Sequence, residues 1–237
     1  MFKIITQTPD FIVIAKAPDV NFHDEGKIGE GLFSQVKSYV LSQSICQTLY
    51  PVHRLDKMTS GLLLFATNLT SAQIFNDLFK NHQIDKYYLA ISDKKPNKKQ
   101  GLIKGDMEKS RRGMFKLMRT LQKPAITQFF SYSIGEGKRL YLLKPHSGKT
   151  HQLRVALSSI GAPILGDPLY YPKPHQRNIA QQRGYLHAYA LRFYYQNELF
   201  ELTSFPAEGK LFLQAATTKQ LQAIKKPWSL SWPNVSA

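Results

Sequence analysis

His53-Arg54-Leu55-Asp56-Lys57-Met58-Thr59-Ser60-Gly61-Leu62-Leu63-Leu64-Phe65-Ala66 sets one carboxylate between two basic side chains, then a Thr-Ser-Gly turn, then an apolar run. Four consecutive large apolar residues after a turn predict a strand buried on both faces, over Leu62 to Phe65. Asp56 is a poor candidate for core filling, because it stands two residues after an arginine and directly before a tight turn. On these residues alone three readings of it stay open: a functional acid, a structural ion pair with Arg54, and a cap of the turn.

Working outward, Phe11 to Ala15 predicts another buried strand, stopped at Lys16-Ala17-Pro18-Asp19. Leu32, Phe33, Val36, Tyr39 and Val40 fall at helical spacing within Gly29 to Gln43. Thr70-Ser71-Ala72-Gln73 fits a capping box for a helix carrying Ala72, Phe75, Leu78 and Phe79. Lys86 to Ile91 predicts a strand. Ile126 to Ile134 and Arg139 to Lys144 predict a strand pair joined through Gly135-Glu136-Gly137. Thr150 is placed to cap a helix on Leu153, Leu157 and Ile160 that Gly161 closes. Tyr171 to Gly184 is polar and reads as a surface excursion, and strand character resumes over Leu186 to Tyr195 and Leu199 to Phe205. Several strands with few helices predict an α+β fold with a mostly antiparallel sheet. No linker divides the chain, so residues 1–237 are expected to form one domain.

Lys and Arg number 32 against 16 Asp and Glu, a formal charge of +16. That excess exceeds what solubility needs and points to a polyanionic partner, nucleic acid before an anionic membrane. No segment approaches the roughly 18 consecutive apolar residues of a membrane span. Between Asp93 and Lys123 the cations crowd together, with Lys109, Arg111 and Arg112 at the centre. Such density suits either a solvated loop with exposed hairpins or a surface that tracks phosphates, the second being favoured because like charges repel until neutralised. The single cysteine, Cys46, excludes a disulfide framework and a Cys-based metal site. No His/Asp/Glu spacing suggests a metal, and His175 and His187 read as ordinary. The start of the chain lacks a secretory signal, so a soluble cytoplasmic protein is expected.

Three separated segments form an ordered set: His53 to Gly61; Lys86-Tyr87-Tyr88-Leu89-Ala90; and Ser147-Gly148-Lys149-Thr150-His151-Gln152-Leu153-Arg154-Val155, followed by Pro163-Ile164-Leu165-Gly166-Asp167. Together they resemble the HRLD, Lys-x-Tyr-x-Ala and GRTHQIR motifs of the RluA-type RNA pseudouridine synthases. Lys16-Ala17-Pro18, Lys123-Pro124-Ala125-Ile126-Thr127 and Leu186-His187-Ala188 are weaker echoes, so the likeness spans most of the chain in the family's order. Ala156 and Ala162 stand where many members carry His, and neither departure touches the Asp, Tyr or Arg positions.

The resemblance implies the pseudouridine synthase fold, with helices flanking the sheet and a central RNA-binding cleft. It also implies catalysis by Asp56 with Tyr88 and Arg154, and RNA contacts from Arg54, His53, Lys86, Lys149 and His151. The reaction is an isomerisation that gains no electrons or groups, so no cofactor is expected. Asp56 must act ionised, as nucleophile at C1′ or as base at the 2′ carbon, and the resemblance gives Arg154 the task of holding that charge. The target base must leave its stack, and Arg54 is suited to fill the vacated space. Tyr88 is expected to stack on the flipped uracil. The catalytic region begins at the start of the chain, so no S4-type RNA-binding module is expected. The expected partner is structured RNA (tRNA or large-subunit rRNA, with a compact tRNA stem-loop favoured) and the expected state is a monomer. The rival is a non-catalytic RNA-binding or RNA-chaperone protein on the same fold.

Overall fold

The computed structural model describes residues 1–172 and 183–235. Twelve strands and five helices follow in the order β1 (Phe2–Gln7), β2 (Phe11–Lys16), α1 (Leu32–Ser42), β3 (Tyr50–Pro51), β4 (Ser60–Ala66), α2 (Leu69–Lys80), β5 (Asp85–Ser92), β6 (Gln100–Gly105), β7 (Met107–Lys109), β8 (Phe115–Leu117), β9 (Ala125–Ser133), β10 (Arg139–Pro145), α3 (Gln152–Ser159), β11 (Leu186–Tyr195), β12 (Glu198–Thr203), α4 (Lys210–Leu213) and α5 (Ala215–Ala223). Ten strands form one sheet in the order β1-β2-β4-β11-β5-β10-β9-β6, with β3 beside β4 and β12 beside β11. The α+β expectation holds.

β4 is the spine. All seven of its residues are buried. Because side chains alternate across a sheet, Leu62 and Leu64 pack with Phe75 of α2, whereas Leu63 and Phe65 pack with Leu32, Val36 and Val40 of α1. A fully buried side chain such as Phe75 contributes roughly 1.5–3 kcal/mol. A third cluster joins Leu89 of β5 and Leu142 of β10 to Leu157 of α3 and to Phe212 and Leu221 of α4 and α5.

Among the described residues the sheet pairs antiparallel everywhere except between β4 and β11, where Ser60 lies opposite His187 and Gly61 opposite Ala188 in parallel. Gly61 has φ +104°, and a Cβ there would run into the Ala188 carbonyl. Only glycine permits both the backbone turn and the close approach. Beside it, Arg183 Nη2 donates to Ser60 Oγ (2.6 Å), Ser60 Oγ meets His187 Nδ1 (2.7 Å), and His187 Nε2 reaches the Ser204 carbonyl (2.8 Å). This network fixes the start of β4, and with it the segment just upstream.

Three local expectations are corrected. The first helix begins at Leu32, after Gly31, whose N–H is held by Asp24 Oδ1 at 2.6 Å. The second is capped by Asn68, which accepts from the Ser71 N–H at 2.8 Å, so the cap falls two residues before Thr70. Thr150 caps nothing, because His151 at the helix start adopts a left-handed φ of 58°. The Gln152 side chain does the tying instead, accepting from the Lys149 N–H (3.0 Å) and from Ser147 Oγ (2.7 Å). Of the excursion predicted over 171–184, residues 173–182, His175 included, lie outside the described residues; of its described ends Pro172 is exposed, whereas Tyr171, which donates to Asp93 Oδ2 at 2.6 Å, and Gly184, which packs on Met58, are buried.

Candidate active site

Asp56 sits in the loop that carries the chain from β3 to β4, and three groups, the Thr59 N–H, the Lys16 ammonium and the His53 imidazole, fix that loop. The Thr59 N–H closes a turn onto the Asp56 carbonyl (3.0 Å). Lys16 Nζ donates to the carbonyls of Ala17, Val20 and Lys57, each at 2.9 Å. Burial pushes the Lys16 ammonium down to about 8, partly offset by Asp19. The third group, His53, accepts from the Leu64 N–H through Nε2 at 2.9 Å. β3 leaves β4 after Pro51, and the imidazole takes over the ladder position the backbone gives up. His53 therefore lines the cavity while its Nε2 is committed to the fold. Burial and then Lys86 hold its pKa down to about 3, so it is neutral.

Arg154 projects from the first turn of α3. Its Nη1 stands 3.1 Å from Asp56 Oδ2, while Nε and Nη2 are taken by Asp167 at 2.7 and 2.8 Å. Burial alone would weaken the charge of Arg154, but the bonds to Asp167 and the nearness of Asp56 outweigh it and hold the guanidinium above its usual value. Its planar group also lies over the Tyr170 ring, 5.1 Å from the centroid. The carboxylate of Asp56 thus faces Arg154, and no Arg54–Asp56 ion pair forms among the described residues. Arg54 is exposed.

His151 Nε2 lies 4.0 Å from Asp56, and its Nδ1 is 3.1 Å from the Tyr170 hydroxyl, which accepts from the Phe115 N–H. Burial and then Arg154 lower the His151 pKa. A neutral ring with Tyr170 donating to Nδ1 leaves its Nε2–H turned to the carboxylate. Tyr88 faces the same space from β5, held as a neutral phenol by burial and then by the charge of Asp56.

All eight residues singled out from the sequence (Asp56, Tyr88, Arg154, Arg54, His53, Lys86, Lys149 and His151) line one open cavity of about 500 Å³, a volume suited to a nucleoside-sized group. Its floor is apolar at Leu153 and Leu186, its walls are basic, and Asp56 is the one carboxylate on its lining. Among the described residues no group of three His, Cys, Asp or Glu could hold a metal. Sequence reasoning missed the functions of Asp167, Tyr170 and Lys16. The signal for Asp167 was present, since it is the only acid between Glu136 and Glu198.

A single carboxylate held against an arginine in a basic cleft is an arrangement capable of acid–base or nucleophilic chemistry on a polyanion. The family model described as "RNA pseudouridylate synthase" matches residues 10–159. An "Uncharacterized RNA pseudouridine synthase" from Haemophilus influenzae is 44% identical over 227 residues, covering 95% of this chain and 97% of its own. A "Ribosomal large subunit pseudouridine synthase C" from Rickettsia bellii is 36% identical over 172 residues, covering 70% and 56%. The fold is that of the solved structure "Human RNA Pseudouridylate Synthase Domain Containing 1", with TM-score 0.72, 24% identity, and coverage of 99% and 97%. The chain belongs to the RNA pseudouridine synthase family, of the RluA type, and is an isomerase. No helix among the described residues is long and apolar enough to cross a membrane.

Proposed function

We propose that this enzyme converts a uridine of tRNA or large-subunit rRNA to pseudouridine in the cytoplasm, without a cofactor, and that Asp56 is its essential acid. The observation that carries the reading is the Asp56 carboxylate held 3.1 Å from Arg154 in the cavity that Tyr88 also lines. Arg154 favours the ionised form that either route requires. The N1–C1′ bond breaks, the uracil turns, and C5 bonds to C1′. The C5 proton is then lost and N1 gains one, so the composition of the RNA is unchanged. Asp56 attacks C1′ or removes the 2′ proton. Tyr88 stacks on the flipped base, and its neutral hydroxyl can take the C5 proton only by passing on its own.

Flipping costs a few kcal/mol, which Arg54, exposed at the rim, offsets by filling the gap. His151 and Lys149 contact sugar or phosphate. The exposed cations Lys109, Arg111 and Arg112 around the β7–β8 hairpin add phosphate contacts, and the hairpin packs against His151 of the cavity wall through Phe115, whose ring lies 5.7 Å from that of His151.

The test is tritium release from total tRNA and rRNA labelled at uridine C5, with wild type and Asp56→Asn. Release by wild type alone, with RNA binding kept in the variant, is expected. Near-normal release by Asp56→Asn would overturn the assignment, and release of free uracil would replace isomerisation by base excision.

A further inference from the structure

The charges around the cavity are lopsided. Towards α2 and the β10–α3 loop it is lined by Lys80, His82, Lys86 and Lys149. There it shares His82, Ser147, Gly148 and Lys149 with a second hollow of about 630 Å³, which Lys123 and His146 complete and no carboxylate lines. On the opposite side a hollow of about 600 Å³ shares Arg54, Asp56, His151 and Arg154 with the cavity, but Asp19 and Glu25 also line it, beside Lys57 and His23, so its charges are mixed. An RNA strand that places one nucleotide over Asp56 thus meets one basic way out and one that carries acid.

Lys86 stands at the entrance of the basic side. It precedes Tyr88 by two residues on β5, so both side chains leave the same face of the strand. Its neighbour Asp85 is taken by Lys144 at 3.0 Å, and no carboxylate lies within ion-pair distance of Lys86 among the described residues. Its Nζ lies over the Phe79 ring, 5.7 Å from the centroid, and close against Gly148, where a Cβ would come within 3.9 Å. Burial lowers its pKa, Asp85 offsetting only part. A partly buried ammonium whose nearest carboxylate is taken by another lysine is costly to hold, and an arriving anion relieves that cost. Further along, Lys149 Nζ is tethered to the Lys123 carbonyl, which holds its charge at the groove.

Resting on the RNA reading above, we propose that Lys86 binds the phosphodiester flanking the target nucleotide. The strand then leaves through the groove of His82, His146, Lys149 and Lys123, away from Asp19 and Glu25. The ligand is the backbone phosphate, so this groove binds without regard to base sequence.

The experiment titrates unfractionated tRNA against wild type, Lys86→Gln, Lys123→Gln, Lys149→Gln and the opposite-side control Lys57→Gln, between 50 and 200 mM salt. The slope of log affinity against log salt should fall by roughly 0.7–0.9 for each groove lysine removed and stay at the wild-type value in Lys57→Gln. Unchanged slopes in the groove variants, or an equal fall in Lys57→Gln, would overturn the proposal. Lys86→Gln without RNA should melt no lower than wild type, since it removes a partly buried charge that has no carboxylate within ion-pair distance. A clear drop in melting temperature would show that the charge serves the fold and would also overturn it. The readout is binding, so absence of tritium release would sink the isomerase reading and leave the groove standing.

Discussion

Asp167 takes two nitrogens of Arg154, at 2.7 and 2.8 Å, and so turns the third towards Asp56. Its own side chain has no exposure, and its Oδ1 also accepts from the N–H groups of Leu169 and Tyr170. Asp167 is a positioning residue: it sets the aim of the guanidinium without entering the cavity. Asp167→Asn should lower kcat on the order of 100-fold, since small misplacements of a catalytic contact cost that much, with little change in KM. Loss of the buried pair should also cost about 3 kcal/mol of stability. Tritium-release kinetics and a urea midpoint check the two parts, and a fall confined to stability would limit Asp167 to the fold.

Arg54 is exposed beside Asp56 and free of it. Arg54→Ala should reduce turnover at least tenfold while RNA affinity changes much less, because phosphate contacts supply most of the affinity. Single-turnover rates set against binding isotherms separate the two. Equal losses would make Arg54 one more phosphate contact.

His53 substitutes for backbone in the β3–β4 ladder. His53→Leu leaves the Leu64 N–H without an acceptor, costing about 1–3 kcal/mol, and loosens the loop that carries Asp56. His53→Gln can offer its Oε1 to the same N–H and should recover most of the stability and turnover. No recovery with glutamine would show that the imidazole does something an acceptor alone cannot.

His187 is 3% exposed, and burial holds its pKa down to about 4, with the Ser204 bond opposing only in part. The folded state keeps it neutral, whereas the unfolded chain takes up a proton below about 6.5. Its contribution is therefore complete above that pH and is lost as pH falls towards 4. Between pH 7 and pH 5 this group alone should remove about 2 kcal/mol, measurable by urea unfolding of wild type against His187→Gln. Parallel pH profiles would contradict the assignment.

The strands around Asp56 were readable because their runs are apolar throughout, and β4 is buried over its whole length. The cavity residues were readable as motifs. Less visible was what holds them, because those partners lie far away in the chain: Lys16 reaches the Lys57 carbonyl across 41 residues. The start of α3 was misread for a different reason. A threonine before a helix normally signals a cap, but here the left-handed turn at His151 removes Thr150 from that duty and passes it to Gln152. β1 alternates too weakly to stand out in the sequence, and α5 has a weak apolar stripe, with Thr217 and Leu221 as its buried residues.

The parallel junction of β4 with β11 also orders assembly along the chain. Ser60 waits for His187, 127 residues later, and Asp56 for Arg154, 98 residues later. Such distant contacts stabilise nothing until the intervening loop has closed. A growing chain that has not yet produced β11 lacks the His187 partner of Ser60 and the parallel neighbour of β4. The order of synthesis thus leaves the start of β4 without its parallel neighbour until His187 has been made.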